Sequence, residues 1–152
     1  MTIERLRVLL VLLLAGVAAP TFAQEEDRVL IAVLHQVAEA MVEEGEVACL
    51  AIDSGGAPQS IDTELLESFA DLPFARRGAE CEERESGAVE LATDRPAVLI
   101  TAGPIEWAED DEAWVTVRYF RTAILSAERL YRAVREETGW VCLGQIVKMA
   151  PA

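Results

Sequence analysis

The chain has 152 residues and a formal net charge of −14 at neutral pH. That acidity argues against nucleic acid and against anionic membrane surfaces, because neither gains attraction or counterion release from such a protein. Apolar residues make up 52% of the sequence, enough to build a core, so the charge does not signal disorder.

The opening stretch MTIERLR places Arg5 and Arg7 ahead of an apolar run, VLLVLLLAGVAA at residues 8–19. PTFA follows, with Thr21 and Ala23 at the two positions a signal peptidase reads. A charged start, a short apolar centre and an A-x-A-like end describe a secretory signal peptide. The run is short for a bilayer-spanning helix, which needs roughly 20 residues. No cysteine follows it, so bacterial lipidation is not expected. The expectation is cleavage after Ala23: residues 1–23 a signal peptide, residues 24–152 a single α+β domain, periplasmic or extracellular. The mature chain keeps 26 acids against 11 bases and has no membrane association once the signal peptide is removed.

EEDRVLIAVLHQVAEAMVEEG reads as a helix, with Leu30, Leu34, Val37 and Met41 on one face. Glu25, Glu26 and Asp27 lie in its first turn, where the helix dipole favours negative charge, and Gly45 is a natural stop. EVACLAID reads as a buried strand, broken by SGGAPQS. DTELLESFADL reads as a short second helix capped by Asp62, with Ile61 and Leu66 spaced for a hydrophobic staple and Leu65, Phe69 and Leu72 buried. Pro73 ends it. From there the period changes to two. AVELAT, AVLITAGPIEW, AWVTVRYFRTAI, RLYRAVRE and WVCLGQIVK are strands joined by short turns, which implies antiparallel neighbours. ETG before Trp140 marks a hairpin turn. The fold class is α+β: N-terminal helix, a strand, a short second helix, then an antiparallel meander sheet.

Three cysteines, Cys49, Cys81 and Cys142, mean one bridge and one spare thiol in an oxidising compartment. All three pairings are open to the sequence. The strand-like settings of Cys49 and Cys81 favour joining those two, with Cys142 a small buried hydrophobe. No paired C-x₂-C or clustered histidine suggests a metal, and no cofactor is expected. Glu109 to Glu112, inside WAEDDEAW, is the densest set of carboxylates. Calcium loops space their ligands over about twelve residues and include a glycine; this run is contiguous and has none. It reads as a charged hairpin tip that discourages strand-to-strand association. Trp107 and Trp114 flank it, positioned to stack across the hairpin.

Catalytic equipment is sparse. His35 is the only histidine, at the border of the first helix's apolar arc. Ser54, in DSGG, lacks the G-x-S-x-G frame of a nucleophile elbow, and no phosphate-cradling glycine motif occurs. No catalytic residue is assigned, and enzyme activity is not expected. Arg118, Arg121, Arg129, Arg132, Arg135 and Lys148 interleave with Tyr119, Phe120, Tyr131 and Trp140. One reading makes these a basic, aromatic sheet face for an anionic small molecule or an acidic partner, carried by Arg118, Arg132, Tyr119 and Tyr131. The other has the arginines pairing across strands with Glu128, Glu136 and Glu137.

RLYRAVREETGWVCLGQIVKMAP resembles the closing hairpin of domains similar to nuclear transport factor two, in the cystatin-like α+β group. The likeness covers Trp114 to Lys148. It implies a curved sheet folded around helices with a pocket between them, and it places no catalytic residue here. The Cys49 strand between the two helices departs from that family, which has consecutive helices there. The chain as a whole looks like a bacterial exported protein. Two functions follow as expectations. The first is an exported, disulfide-stabilised, non-catalytic binding domain whose partner is an unknown protein or an anionic small molecule. The alternative is a small-molecule carrier or enzyme with a pocket between the first helix and a curved sheet.

Overall fold

A computed structural model describes residues 21–146. The expected signal peptide, except its last three residues, and Lys148 lie outside the described residues.

The first helix, α1, spans Phe22–Met41. Thr21 caps it: its hydroxyl accepts from the Gln24 backbone N–H, while the Gln24 side chain accepts from the Thr21 N–H at 3.0 Å, a reciprocal capping box. The expected cut after Ala23 thus falls inside the first turn. The buried stripe is Val29, Leu30, Val33, Leu34, Val37 and Ala38. It is wider than the expected Leu30-Leu34-Val37-Met41 row because sheet and second-helix segment grip α1 from two sides; Met41 is only partly buried.

β1 (Val47–Ile52) is buried through its first four residues. β2 (Gln59–Ser60) leads to α2 (Thr63–Glu67), capped by Asp62, whose carboxylate accepts from the Leu65 N–H at 2.7 Å. α2 is shorter than the expected helix, but the turns after it still bury Phe69 and Leu72. β3 (Ala75–Arg77), β4 (Cys81–Arg84) and β5 (Gly87–Glu90) follow. The long strands are β6 (Ala97–Glu109), β7 (Glu112–Thr122), β8 (Leu125–Glu136) and β9 (Gly139–Ile146).

The fold is α+β with a predominantly antiparallel sheet of order β2-β1-β6-β7-β8-β9. β6 to β9 form the expected meander. One pairing differs from the short-loop expectation, and the pairing of β1 lay outside it. β1 lies parallel to β6 and also parallel to β3, since the 44 residues between β1 and β6 supply a crossover instead of a tight turn. β5 does not join β6 as a hairpin. It pairs with β4 in a separate two-stranded sheet and meets the β6 entry only through a Val89–Pro96 bridge.

The pleat gives the large sheet two apolar faces. Ala48, Leu50, Val98, Ile100, Ala102, Val115, Val117 and Ala133 point to α1 and form the main core. Val47, Cys49, Leu99 and Phe120 point the other way, into a smaller cluster with Ala88 of β5. A disulfide joins Cys49 to Cys81 across 32 residues and clamps β4–β5 over this second face. On the chain-entropy argument a loop of that length stabilises the fold by about 3–4 kcal/mol. Cys142 is free and buried. No described helix is long and apolar enough to cross a membrane.

One position is unusually demanding. Gly103 interrupts β6 at a register shift with φ +116°, and a Cβ there would stand 2.0 Å from the Asp53 carbonyl oxygen. Gly103→Ala therefore forces β6 away from the end of β1. Urea unfolding should show a loss on the order of 3 kcal/mol or more; an unchanged midpoint would contradict the close approach.

Candidate functional site

A groove of about 750 Å³ runs along the seam between α1 and β9. Arg28, Ile31, Ala32, His35, Gln36 and Glu39 line it from the helix; Thr138 to Cys142 line it from the β8–β9 turn and the strand. α1 is held beside β9 because its apolar stripe sits on the inner sheet face, and Trp140 donates its indole N–H to Glu25 at 2.6 Å. Arg135 lies over the Trp140 ring, 5.9 Å from its centroid, and 3.8 Å from the same carboxylate.

His35 sits in this groove between two carboxylates: Nε2 is 2.6 Å from Asp71 and Nδ1 is 3.7 Å from Glu39. Its ring stacks on Phe69. The hydrogen bond to His35 is the main cause holding the Asp71 carboxyl below its usual range. Cys142 also lines the groove, and burial pushes its thiol pKa up, away from the reactive thiolate. With both ring nitrogens turned to acids and the thiol kept neutral, the pair lacks the base-to-nucleophile contact that covalent catalysis needs. The sequence placed His35 at the helix border; its partner Asp71 went unnoticed, because a contact across 36 residues leaves no periodic trace.

A second groove, about 500 Å³, lies on the opposite sheet face beside the Cys49–Cys81 bridge, lined in part by Leu99, Thr101, Arg118, Tyr119 and Phe120. The four expected ligand residues do not come together. Successive residues of a strand face opposite ways, so Arg118 on β7 and Arg132 on β8 share the outer face, where Trp114 is the register partner of Arg132. Tyr119 and Tyr131 pack against the main core.

All but Arg129 of these arginines are engaged with acids, though not the expected ones. Arg118 donates to Asp53 at 2.6 Å. Arg121 grips both oxygens of Glu46, at 2.8 and 3.0 Å, and the Met41 carbonyl at 2.7 Å, which completes the C-terminal end of α1. Arg132 pairs with Glu112. Arg129 donates to Gln145 at 2.8 Å and lies over Tyr119. Glu128 on β8 is the register partner of Arg118, yet the guanidinium turns the other way, across β6, to Asp53 at the end of β1. The reason is that the Asp53 carboxylate is buried and already preorganised by the N–H groups of Gly55 and Gly56, at 2.9 and 3.0 Å. In DSGG it is Asp53 that ties the loop together, through the Gly55 and Gly56 N–H groups and Arg118.

Glu109–Glu112 forms the β6–β7 turn, with Glu109 opposite Glu112. Trp107 and Trp114 do not stack: Trp107 pairs in register with Ala113 and Trp114 with Glu106, which sends the rings to opposite faces. Trp107 instead meets Trp140 edge-on, with centroids 5.6 Å apart, and Phe22 at 5.7 Å. Trp114 donates to Glu112.

Comparison with protein-family models, curated proteins and solved structures returned no match.

The Gly55 and Gly56 N–H groups, with Arg118, hold the Asp53 pKa below its ordinary 3.8. A carboxylate depressed in the folded state adds stability above its unfolded pKa, and that stability is lost as pH falls through the folded value. Asp53→Asn should therefore melt lower than the parent near pH 7, and the gap should close as pH drops below 3.8. Melting curves whose separation stays constant with pH would contradict the assignment.

Proposed function

We propose that this chain is a small exported binding domain, without catalysis, that engages a protein partner in the groove between α1 and β9. The observation that carries the reading is the position of β9: among the described residues it ends the sheet, and an open groove with an apolar lining runs beside it. An enzyme reading has less support, since His35 is bracketed by Asp71 and Glu39 and no activated nucleophile shares its groove. An anionic small molecule has less support too, since Arg118, Arg121 and Arg132 already meet carboxylates.

Export is supported by the composition of residues 1–23 and by the Cys49–Cys81 bridge, a bond that persists in oxidising compartments. No membrane contact is proposed for the mature chain. Cleavage after Ala23 leaves α1 from Gln24 onward. It removes the Thr21 cap, worth about 1 kcal/mol, and the Phe22 ring over Trp107, while Glu25, Glu26 and Asp27 still complement the helix dipole.

A photo-reactive residue tests the site in the exporting cell. Placed at Gln36 it should give a discrete protein adduct in the envelope or medium, and placed at Glu85, exposed at the turn of the β4–β5 ribbon on the opposite sheet face, it should not. No adduct from Gln36, or the same adducts from both positions, would overturn the proposal.

A further inference from the structure

We infer that the α1–β9 groove accepts an extended, basic polypeptide segment, which adds to the sheet as a further strand on Gly139–Cys142; this rests on the binding reading above. Three observations converge on it.

The first is the edge itself. Among the described residues no strand lies beside β9 opposite β8, so alternate N–H and C=O groups of β9 face outward, the template for strand addition. Sheet edges are usually blunted with charge or proline. β9 reads GWVCLGQI and carries neither.

The second is the length of the regular stretch. Gly139 to Cys142 follow β8 in step, from Glu136 to Ala133. The register then shifts: Leu143 is left without a partner, its side chain 50% exposed, and Gly144 takes φ +115°. A bulge of this kind interrupts the regular run, which resumes on β8 in a shifted register at Gly144. The four regular residues are also the ones that line the groove. A partner strand in register with them can set alternate side chains toward Ile31, Ala32 and Trp140.

The third is charge. Arg28 and Arg135 near the groove both turn to Glu25, at 3.4 and 3.8 Å. Glu39 and Asp71, on the helix side, are 68% and 64% exposed. Glu136 and Glu137, at the β8–β9 turn that closes one end, are exposed as well. The surround is acidic on a chain of net −14. Such a field steers a cationic segment inward and repels an anionic one. The occupant is therefore a polypeptide that alternates lysine or arginine with apolar residues.

A fluorescent nine-residue peptide alternating lysine with valine is the probe, read by anisotropy. It should bind, and its affinity should fall at least tenfold between about 50 and 500 mM salt as charges are screened. The glutamate–valine counterpart should not bind. Methylating alternate backbone nitrogens of the lysine peptide should weaken binding tenfold or more in one phase and leave the other phase unaffected, because only one set of N–H groups faces β9. Gln36→Arg, at an exposed helix position, and Ala32→Arg should each reduce binding, with circular dichroism confirming the fold. Equal binding of both methylated peptides, binding of the glutamate peptide, or no binding would overturn strand addition. A Gln36 adduct that persists while the lysine peptide fails to compete for it would leave the partner reading standing and remove this one. Peptide binding without any Gln36 adduct in the cell would do the reverse.

Discussion

The structure depends on one seam, the burial of α1 against the inner face of the sheet. Val29, Val33, Leu34 and Val37 are almost wholly removed from solvent there, and each such side chain stabilises by about 1.5–3 kcal/mol. Arg121 locks the far end of the seam. From β7 it reaches both Glu46 and the Met41 carbonyl, so the last turn of α1, the entry to β1 and the middle of the sheet share one guanidinium. Glu25 fixes the near end through Trp140. With both ends held, the flank of α1 runs beside β9, and the groove is a consequence of the seam and not a separate construction.

The second apolar face explains the disulfide. A two-stranded β4–β5 ribbon is marginal by itself, yet Val47, Cys49, Leu99 and Phe120 need a cover. The Cys49–Cys81 bond keeps the ribbon there. Glu90 helps: it is buried, meets Arg76 at 2.6 Å and accepts from the Thr93 hydroxyl, the main cause of its lowered pKa. This side of the sheet is covered by a cross-linked ribbon, whereas among the described residues no strand lies beside β9 opposite β8.

Much of this was legible in the sequence. The 3.6 period of α1, the Asp62 cap, the meander of β6 to β9, the hairpin tip at Glu109–Glu112 and the Cys49–Cys81 pair each have a local cause: periodicity, a capping residue, short turns, like charges in a row, a strand-like setting. What was misread or left open shares a different cause. Whether β1 runs parallel to β6, whether Trp107 and Trp114 share a face, and which acid each arginine meets are decided by register between strands far apart in the chain. Period two says that a residue alternates, not which neighbour it alternates against. Arg118 shows the limit most clearly, since its in-register neighbour Glu128 carries the right charge while the buried, preorganised Asp53 takes the contact. The groove was only implied as a pocket between helix and curved sheet, and its position beside β9 follows from strand order.

The open edge is the claim on which the functional account turns, and residue-resolved amide hydrogen exchange on the free protein tests it most directly. Amides along Gly139–Cys142 should alternate, those facing β8 exchanging slowly and those facing outward exchanging near the rate of exposed loops. Uniform protection along β9 would mean that the edge is already covered, and would contradict both the site and the partner proposed for it.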